Sequence, residues 1–335
     1  MAVTLSATPS LAQPRITGWL FGLLLLGVLL SIVSLNVGAS RMNLLHLFTQ
    51  PDDRISQLLF VSRWPRTLAL ILAGASLAVA GLILQMLARN RLVEPSMVGT
   101  VDAAALGVLL CTLIAPSMAL WLKFSLDSAF AALGTVLFLA VLKRIPLRSA
   151  LIVPLLGLVL AGVIHAGNSL LAHQFELTQA LRAWNSGDFS AILRGRYELL
   201  WVAAGITLLA MLLADRFTVL GMGKDFATNV GVNYQALLIL GVILVSMIVA
   251  SVVVIAGALP FIGLIVPHLI RLISGDNLRR AIPLVALAGS ALMLAADLLC
   301  RVLIHPYEIP SATILASCGS LVFLVILLRG RRQWA

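Results

Sequence analysis

Gln235-Ala236-Leu237-Leu238-Ile239-Leu240-Gly241-Val242-Ile243-Leu244-Val245-Ser246-Met247-Ile248-Val249-Ala250-Ser251-Val252-Val253-Val254-Ile255-Ala256-Gly257 runs without a single charged side chain. Its many β-branched residues would suit a buried strand, but buried strands stop after about eight residues. About 20 apolar residues in a helix cross the hydrocarbon of a bilayer, so this stretch is a transmembrane helix. Working outward, comparable runs punctuated by charge, Pro and Gly lie at 17–38, 64–88, 95–115, 119–142, 150–171, 198–214, 259–274, 282–303 and 311–328. With 235–257 they make ten candidate spans. Composition agrees: 61% of the 335 residues are hydrophobic and 11% charged, against roughly 25% charged in a soluble domain. A soluble enzyme, a coiled coil and a disordered chain are excluded, since a soluble fold of this size needs a polar skin. The apolar runs do not alternate as barrel strands do. The expected fold is an all-α polytopic membrane protein.

An even number of spans puts both termini on one side. With the N-terminus inside, the inner face carries 14 of the 23 Lys and Arg, which sets a cytoplasmic N-terminus by the positive-inside bias. Residues 1–16 are then a short cytoplasmic tail, 17–328 a single transmembrane unit, and 329–335 a cytoplasmic tail. The net charge of +10 reflects this loop placement rather than nucleic-acid binding. Gly18 to Val37 has the look of a secretory signal, but its length fits a first span. Cys111, Cys300 and Cys318 all fall in apolar runs and match no metal spacing, so they are expected to pack. The longest polar stretches are 39–62 and 173–197 outside and 215–234 inside, and no GxxxxGK[ST] loop occurs. Energy for any transport must come from an ion gradient or from another subunit. Leu72, Ala73, Gly74, Leu77, Ala80, Leu84, Pro95 and Ser96 recur 215 residues later as Leu287, Ala288, Gly289, Leu292, Ala295, Leu299, Pro310 and Ser311. The two segments cross in opposite directions, as inverted repeats of transporters do.

Chemistry-bearing residues are few. Pro260, Gly263 and Pro267 interrupt the eighth span, which makes it a hinge or pathway-lining element, or else a kinked packing helix. His268 is expected as a helix-end residue at the inner interface. Asp102 and Asp297 lie in apolar spans, where a carboxylate is costly and usually functional. Asp297 stands four residues before Arg301, the spacing of a helical ion pair; Asp102 suits either capping of a helix start or substrate contact. On the inner side, 221–232 forms a short amphipathic helix ended by Gly231. Phe226, Ala227 and Val230 share one face, and Lys224, Asp225, Thr228 and Asn229 largely share another. Its nearly neutral polar face suits a protein partner better than a lipid surface. No catalytic constellation and no metal-ligand spacing is present.

Arg63-Trp64-Pro65-Arg66-Thr67-Leu68, the helix with Gly74, Gly81 and Gln85, Gly221 to Val232, Phe261 to Arg271, Ala296 to Arg301 and Glu308-Ile309-Pro310 follow one another in an order that resembles the FecCD-type permeases. These are membrane subunits of bacterial importers for iron-siderophores, heme and cobalamin, driven by ATP-binding cassettes. The chain has Asn90-Arg91-Leu92 and Gly99-Thr100-Val101-Asp102 where Asn-Pro-Leu and Gly-Val-Ser are common, and with Gly275 to Arg279 and Pro306 to Pro310 this is similar to the subgroup serving petrobactin and anguibactin. The resemblance implies a type II importer permease of ten transmembrane helices in the cytoplasmic (inner) membrane. It also implies a second permease subunit (a related chain or a copy of itself), two cytoplasmic ATPases and an extracytoplasmic binding protein. No cofactor is implied for this chain; ATP and Mg belong to the partner subunits. In the family, arginines at the positions of Arg63, Arg66 and Arg301 meet carboxylates on the binding protein. From their own pattern, Gly223, Lys224, Asp225, Ala227, Asn229 and Gly231 are expected to couple to the ATPase, and Pro260, Gly263 and Pro267, with Asp102, to belong to the pathway or its hinge. The alternatives are a gradient-driven transporter using Asp102, Asp297 and His268, and an importer of heme or cobalamin.

Overall fold

A computed structural model describes residues 16–38, 57–145, 151–275, 277–304 and 307–330. Most of the two predicted tails, and the loop segment 39–56, lie outside the described residues. Among those described, all regular structure is helical, because backbone in lipid must satisfy its own hydrogen bonds. The helices are α1 (Ile16–Asn36), α2 (Trp64–Leu87), α3 (Thr100–Ile114), α4 (Leu120–Leu142), α5 (Ile152–Gln174), α6 (Thr178–Asn185), α7 (Leu200–Leu212), α8 (Ala214–Gly221), α9 (Lys224–Asn229), α10 (Tyr234–Ala256), α11 (Ile262–Ser274), α12 (Leu278–Leu303) and α13 (Ser311–Gly330). Seven helices are long and apolar enough to cross a membrane, α7 and α8 form one span bent by 69°, and α3 and α11 are shorter apolar helices. Together these account for the ten predicted spans.

The differences lie at the breaks. The second span starts early, through a π-turn at Leu59–Arg63 that continues into α2. The third span starts late: Pro95–Met97 is a 3-10 turn, and α3 begins only at Thr100. The sixth span continues as α8 into the segment expected to be loop. α11 begins at Ile262, after Pro260 and Phe261, and runs on to Ser274. His268 is therefore in mid-helix and half-buried, not at a helix end. Asn233 and Asn277 cap the N-termini of α10 and α12, accepting the N–H of Ala236 at 3.0 Å and of Arg280 at 3.3 Å.

α2 is the axis of the packing. Of its most apolar stretch 83% is buried, against α12, α10, α11 and α7, whereas the figure is 0% for α1 and 22% for both α5 and α13. Small residues let the neighbours close in, as membrane helices require in the absence of a hydrophobic force between them. A Cβ on Gly74 would run into the carbonyl of Gly289, and one on Gly289 into the carbonyl of Gly74. These two glycines are equivalents in the 215-residue repeat, so the repeats meet at their matching residues. Buried hydroxyls add polar links between spans: Ser290 Oγ donates to Ile71 O at 2.9 Å, and Thr207 Oγ1 to Ser76 Oγ at 3.0 Å.

Candidate functional site

Three arginines gather where α1 ends. Arg63 Nη1 donates to Leu35 O at 2.7 Å and to Asn36 O at 3.0 Å. Arg301 Nη1 donates to Ser34 O and Val37 O, each at 3.0 Å. The last carbonyls of a helix have no partner within it and carry the negative end of its dipole, so guanidinium groups suit them. Asp297, fully buried on α12, takes Arg66 Nη2 on one oxygen at 2.8 Å and Arg301 on the other. Arg66 Nη1 also holds Glu308 Oε2 at 2.7 Å, and Ser311 Oγ donates to Asp297 Oδ1 at 3.2 Å. The helical pair Asp297–Arg301 is thus present and is part of a larger network. Arg63 and Arg301 are buried and turned onto α1. Only Arg66 and Glu308, at 12% and 26% side-chain exposure, reach the rim.

In the interior, Asp102 Oδ1 lies 3.2 Å from His165 Nδ1 on α5, and Asn168 Nδ2 donates to the Asp102 carbonyl at 2.8 Å. The carboxylate stands in the first turn of α3 and also reaches α5. His165, Ser169 and His173 follow at four-residue steps on the exposed face of α5, and Thr313, Ser317 and Ser320 form a similar stripe on α13. The Ser317 and Ser320 hydroxyls donate within α13, to Thr313 O at 2.8 Å and to Ser317 O at 3.0 Å. α5 and α13 are the two least buried of the long spans after α1. Gly263 and Pro267, expected at the pathway, are instead buried against α2; Pro260 is half-buried in the turn before α11. Pro267 has no N–H to give to the carbonyl four residues back, which is that of Gly263. Gln85 Nε2 on α2 donates to that carbonyl in its place, at 3.2 Å.

α9, at the end of the molecule opposite the arginines in the chain's expected topology, has six residues, under two turns. Gly223, with φ 107, starts it in a conformation closed to residues with a Cβ, and its Cα lies under the Arg89 guanidinium. Phe226 and Val230 are exposed, as are Lys224, Asp225 and Asn229. Ala227, placed on the apolar docking face from the sequence, is instead fully buried against its own chain. Two buried carboxylates outside the sequence candidates complete the set. Glu94 lies between α2 and α3, and Asp127 on α4 has an Oδ2 with no hydrogen-bond partner among the described residues. Asp127 carried the signal used for Asp102, a lone acid in an apolar run; Glu94 sits in a short polar connection and carried none.

The FecCD transport family matches residues 23–329 of this chain. The chain belongs to that family. A FecCD protein is a transport component, the permease subunit of an import system, and not an enzyme. The petrobactin import system permease FatD of Bacillus anthracis is 42% identical over 276 residues, covering 82% of this chain and 83% of that one. YclN, a petrobactin permease of Bacillus subtilis, is 36% identical over 313 residues, 93% of this chain and 98% of its own. The ferric-anguibactin permease FatD of Vibrio anguillarum is 38% identical over 274 residues, 82% and 87% of the two chains. Among solved structures, a metal-chelate type ABC transporter in an inward-facing conformation superposes with a TM-score of 0.78 at 29% identity, covering 93% of this chain and 99% of the other. The FecCD assignment accounts for the all-helical fold of about ten spans.

Proposed function

We propose that this FecCD permease carries an iron–siderophore complex inward across the cytoplasmic membrane, with a ferric complex of the petrobactin or anguibactin kind as its cargo. The observation that carries the reading is the similarity to three permeases of such systems over four-fifths or more of the chain. Two permease subunits face each other through α5 and α13, two ATPases bind below and a binding protein above, and both termini are cytoplasmic. The polar stripes of the two helices, with Asp102 and His165, line the passage. Pro260, Gly263 and Pro267 keep α11 short and separately movable, as a hinge beside α2. ATP-driven closure of the ATPases moves α9 through Lys224, Asp225, Phe226, Asn229 and Val230, while Gly223, Ala227 and Gly231 give that helix its shape. The binding protein docks over Arg63, Arg66 and Arg301. Arg66 is the group a partner carboxylate reaches, in exchange for Glu308, and the two buried arginines fix the rim.

The gradient-driven alternative gains nothing from Asp297, whose two oxygens are taken up by Arg66 and Arg301 in the packing of the rim. The test is uptake of iron-55-labelled ferric petrobactin into proteoliposomes holding the permease, its ATPase and its binding protein. Uptake that requires ATP and is not displaced by hemin or cobalamin is expected. Uptake driven by a proton gradient without ATP would overturn the proposal.

A further inference from the structure

Glu94, in the connection between α2 and α3, is 1% exposed. Its Oε1 accepts the backbone N–H of Phe261 at 2.7 Å and the hydroxyl of Ser96. The carboxyl thus sits at the N-terminal end of α11, where backbone N–H groups have no partner within the helix. α11 has 13 residues and spans about 20 Å, short of the roughly 30 Å of hydrocarbon, so its start lies inside the membrane. Water is not at hand there to replace the carboxylate.

The turn it holds is strained. Phe261 has φ 68 and ψ −11, in the left-handed region that crowds a side chain, and such a residue persists only when its surroundings fix it. The Phe261 side chain fills the notch left by Gly319 on α13: a Cβ on Gly319 would stand 2.5 Å from both Cβ and Cγ of Phe261. Its ring lies 6.4 Å from that of Phe323, on the same helix. At the other end of the connection, a Cβ on Gly223, just before α9, would meet the Arg89 guanidinium at 3.0 Å. Contacts therefore run from the start of α9 to Arg89 in the α2–α3 connection, along that connection to Glu94, and from Glu94 through Phe261 into the little-buried span α13.

We propose that Glu94 is a positioning residue of the transport cycle, which holds the left-handed turn at Phe261 and so passes movement of α9 and the α2–α3 connection to α13. This rests on the ATP-driven import reading. The test uses the assembled complex with a thiol reporter on α13, Ser317→Cys in a Cys318→Ser background, labelled by an impermeant maleimide with and without trapped ATP. Glu94→Ala removes the acceptor from below, and Gly319→Ala pushes the Phe261 ring out of its notch from above. Each is expected to assemble, to hydrolyse ATP within about twofold of the parent, to lose uptake about tenfold and to lose the ATP-dependent change in labelling. Because both act through Phe261, the double variant should be no worse than the worse single one. An unchanged labelling response in either assembled variant, or losses that multiply in the double one, would overturn the proposal. Where Glu94→Ala does not assemble, the response of Gly319→Ala decides alone. A parent that hydrolyses ATP but takes up no ferric petrobactin would refute the cargo assignment, while the labelling arm still decides the role of Glu94.

Discussion

The arginine rim at the end of α1 and the short helix α9 are both surfaces where the proposal puts partners, and they are built in opposite ways. At the rim the charged groups are spent inside the chain. Asp297 binds Arg66, 231 positions away, and Arg301 seals the end of α1 across more than 260 positions. At α9 the charged and apolar side chains point outward, and the backbone is set by two nearby glycines and one buried alanine. The difference teaches that the rim is a rigid frame whose charges shape it first and meet a partner second, whereas α9 is a handle whose side chains are free to meet one.

The sharpest way to break this contrast is Asp297→Ala. It leaves Arg66 and Arg301 buried without their shared carboxylate, which should cost about 3–5 kcal/mol, as removing one partner from a buried pair does. The loss should appear as a lower unfolding temperature in detergent and less monodisperse protein. A variant as stable as the parent would show that the network is not structural.

On the handle, Ala227→Lys and Val230→Lys should part company. The first forces a long side chain into a filled site and should destabilise by roughly 1–3 kcal/mol. The second should leave the unfolding temperature unchanged and reduce co-purification of the ATPase. Equal effects of the two on stability would erase the distinction between buried and free faces.

Smaller again is the bond from Gln85 to Gly263. Gln85→Leu should cost about 1–2 kcal/mol by leaving a buried carbonyl unsatisfied. In a Pro267→Ala background the new N–H can serve that carbonyl, so the cost should shrink. The two effects simply adding would show that Gln85 does not stand in for the missing proline N–H.

The smallest effect is expected at Glu308→Gln, which releases Arg66 to a partner. Its stability should change by less than about 1 kcal/mol, while the loaded binding protein should bind severalfold tighter at low salt, with the gain fading as salt rises. Unchanged or weaker binding would remove Arg66 from the docking surface.

These contrasts also mark what could be seen in the sequence. Ten spans were legible, because an apolar run of bilayer length is a local signal, and so was α9, whose glycines and i,i+4 pattern lie within a dozen residues. The pair Asp297–Arg301 was legible as one helical turn. Arg66 as the second partner of Asp297 was not, since no spacing reports a contact between separate spans. The same holds for Gln85 and Glu94, whose partners lie in α11 and the turn before it. Ala227 failed for another reason: a six-residue helix has too few positions for its pattern to tell the buried face from the free one. Asp102 was seen, but its facing residue His165 came only with the packing of α3 on α5.

The sealing of α1 by Arg63 and Arg301 also sets an order of events at the ribosome. Arg63 follows closely behind α1 and can take Leu35 and Asn36 as soon as the second span enters the membrane. Ser34 and Val37 must wait for Arg301, which at synthesis rates of about 5–20 residues per second emerges some 10 to 50 s later. For that interval the first helix is a half-closed end, open to lipid and to the insertion machinery. A chain cut short before its ninth span would leave it so, presenting quality-control proteases with a visible mark of an unfinished permease.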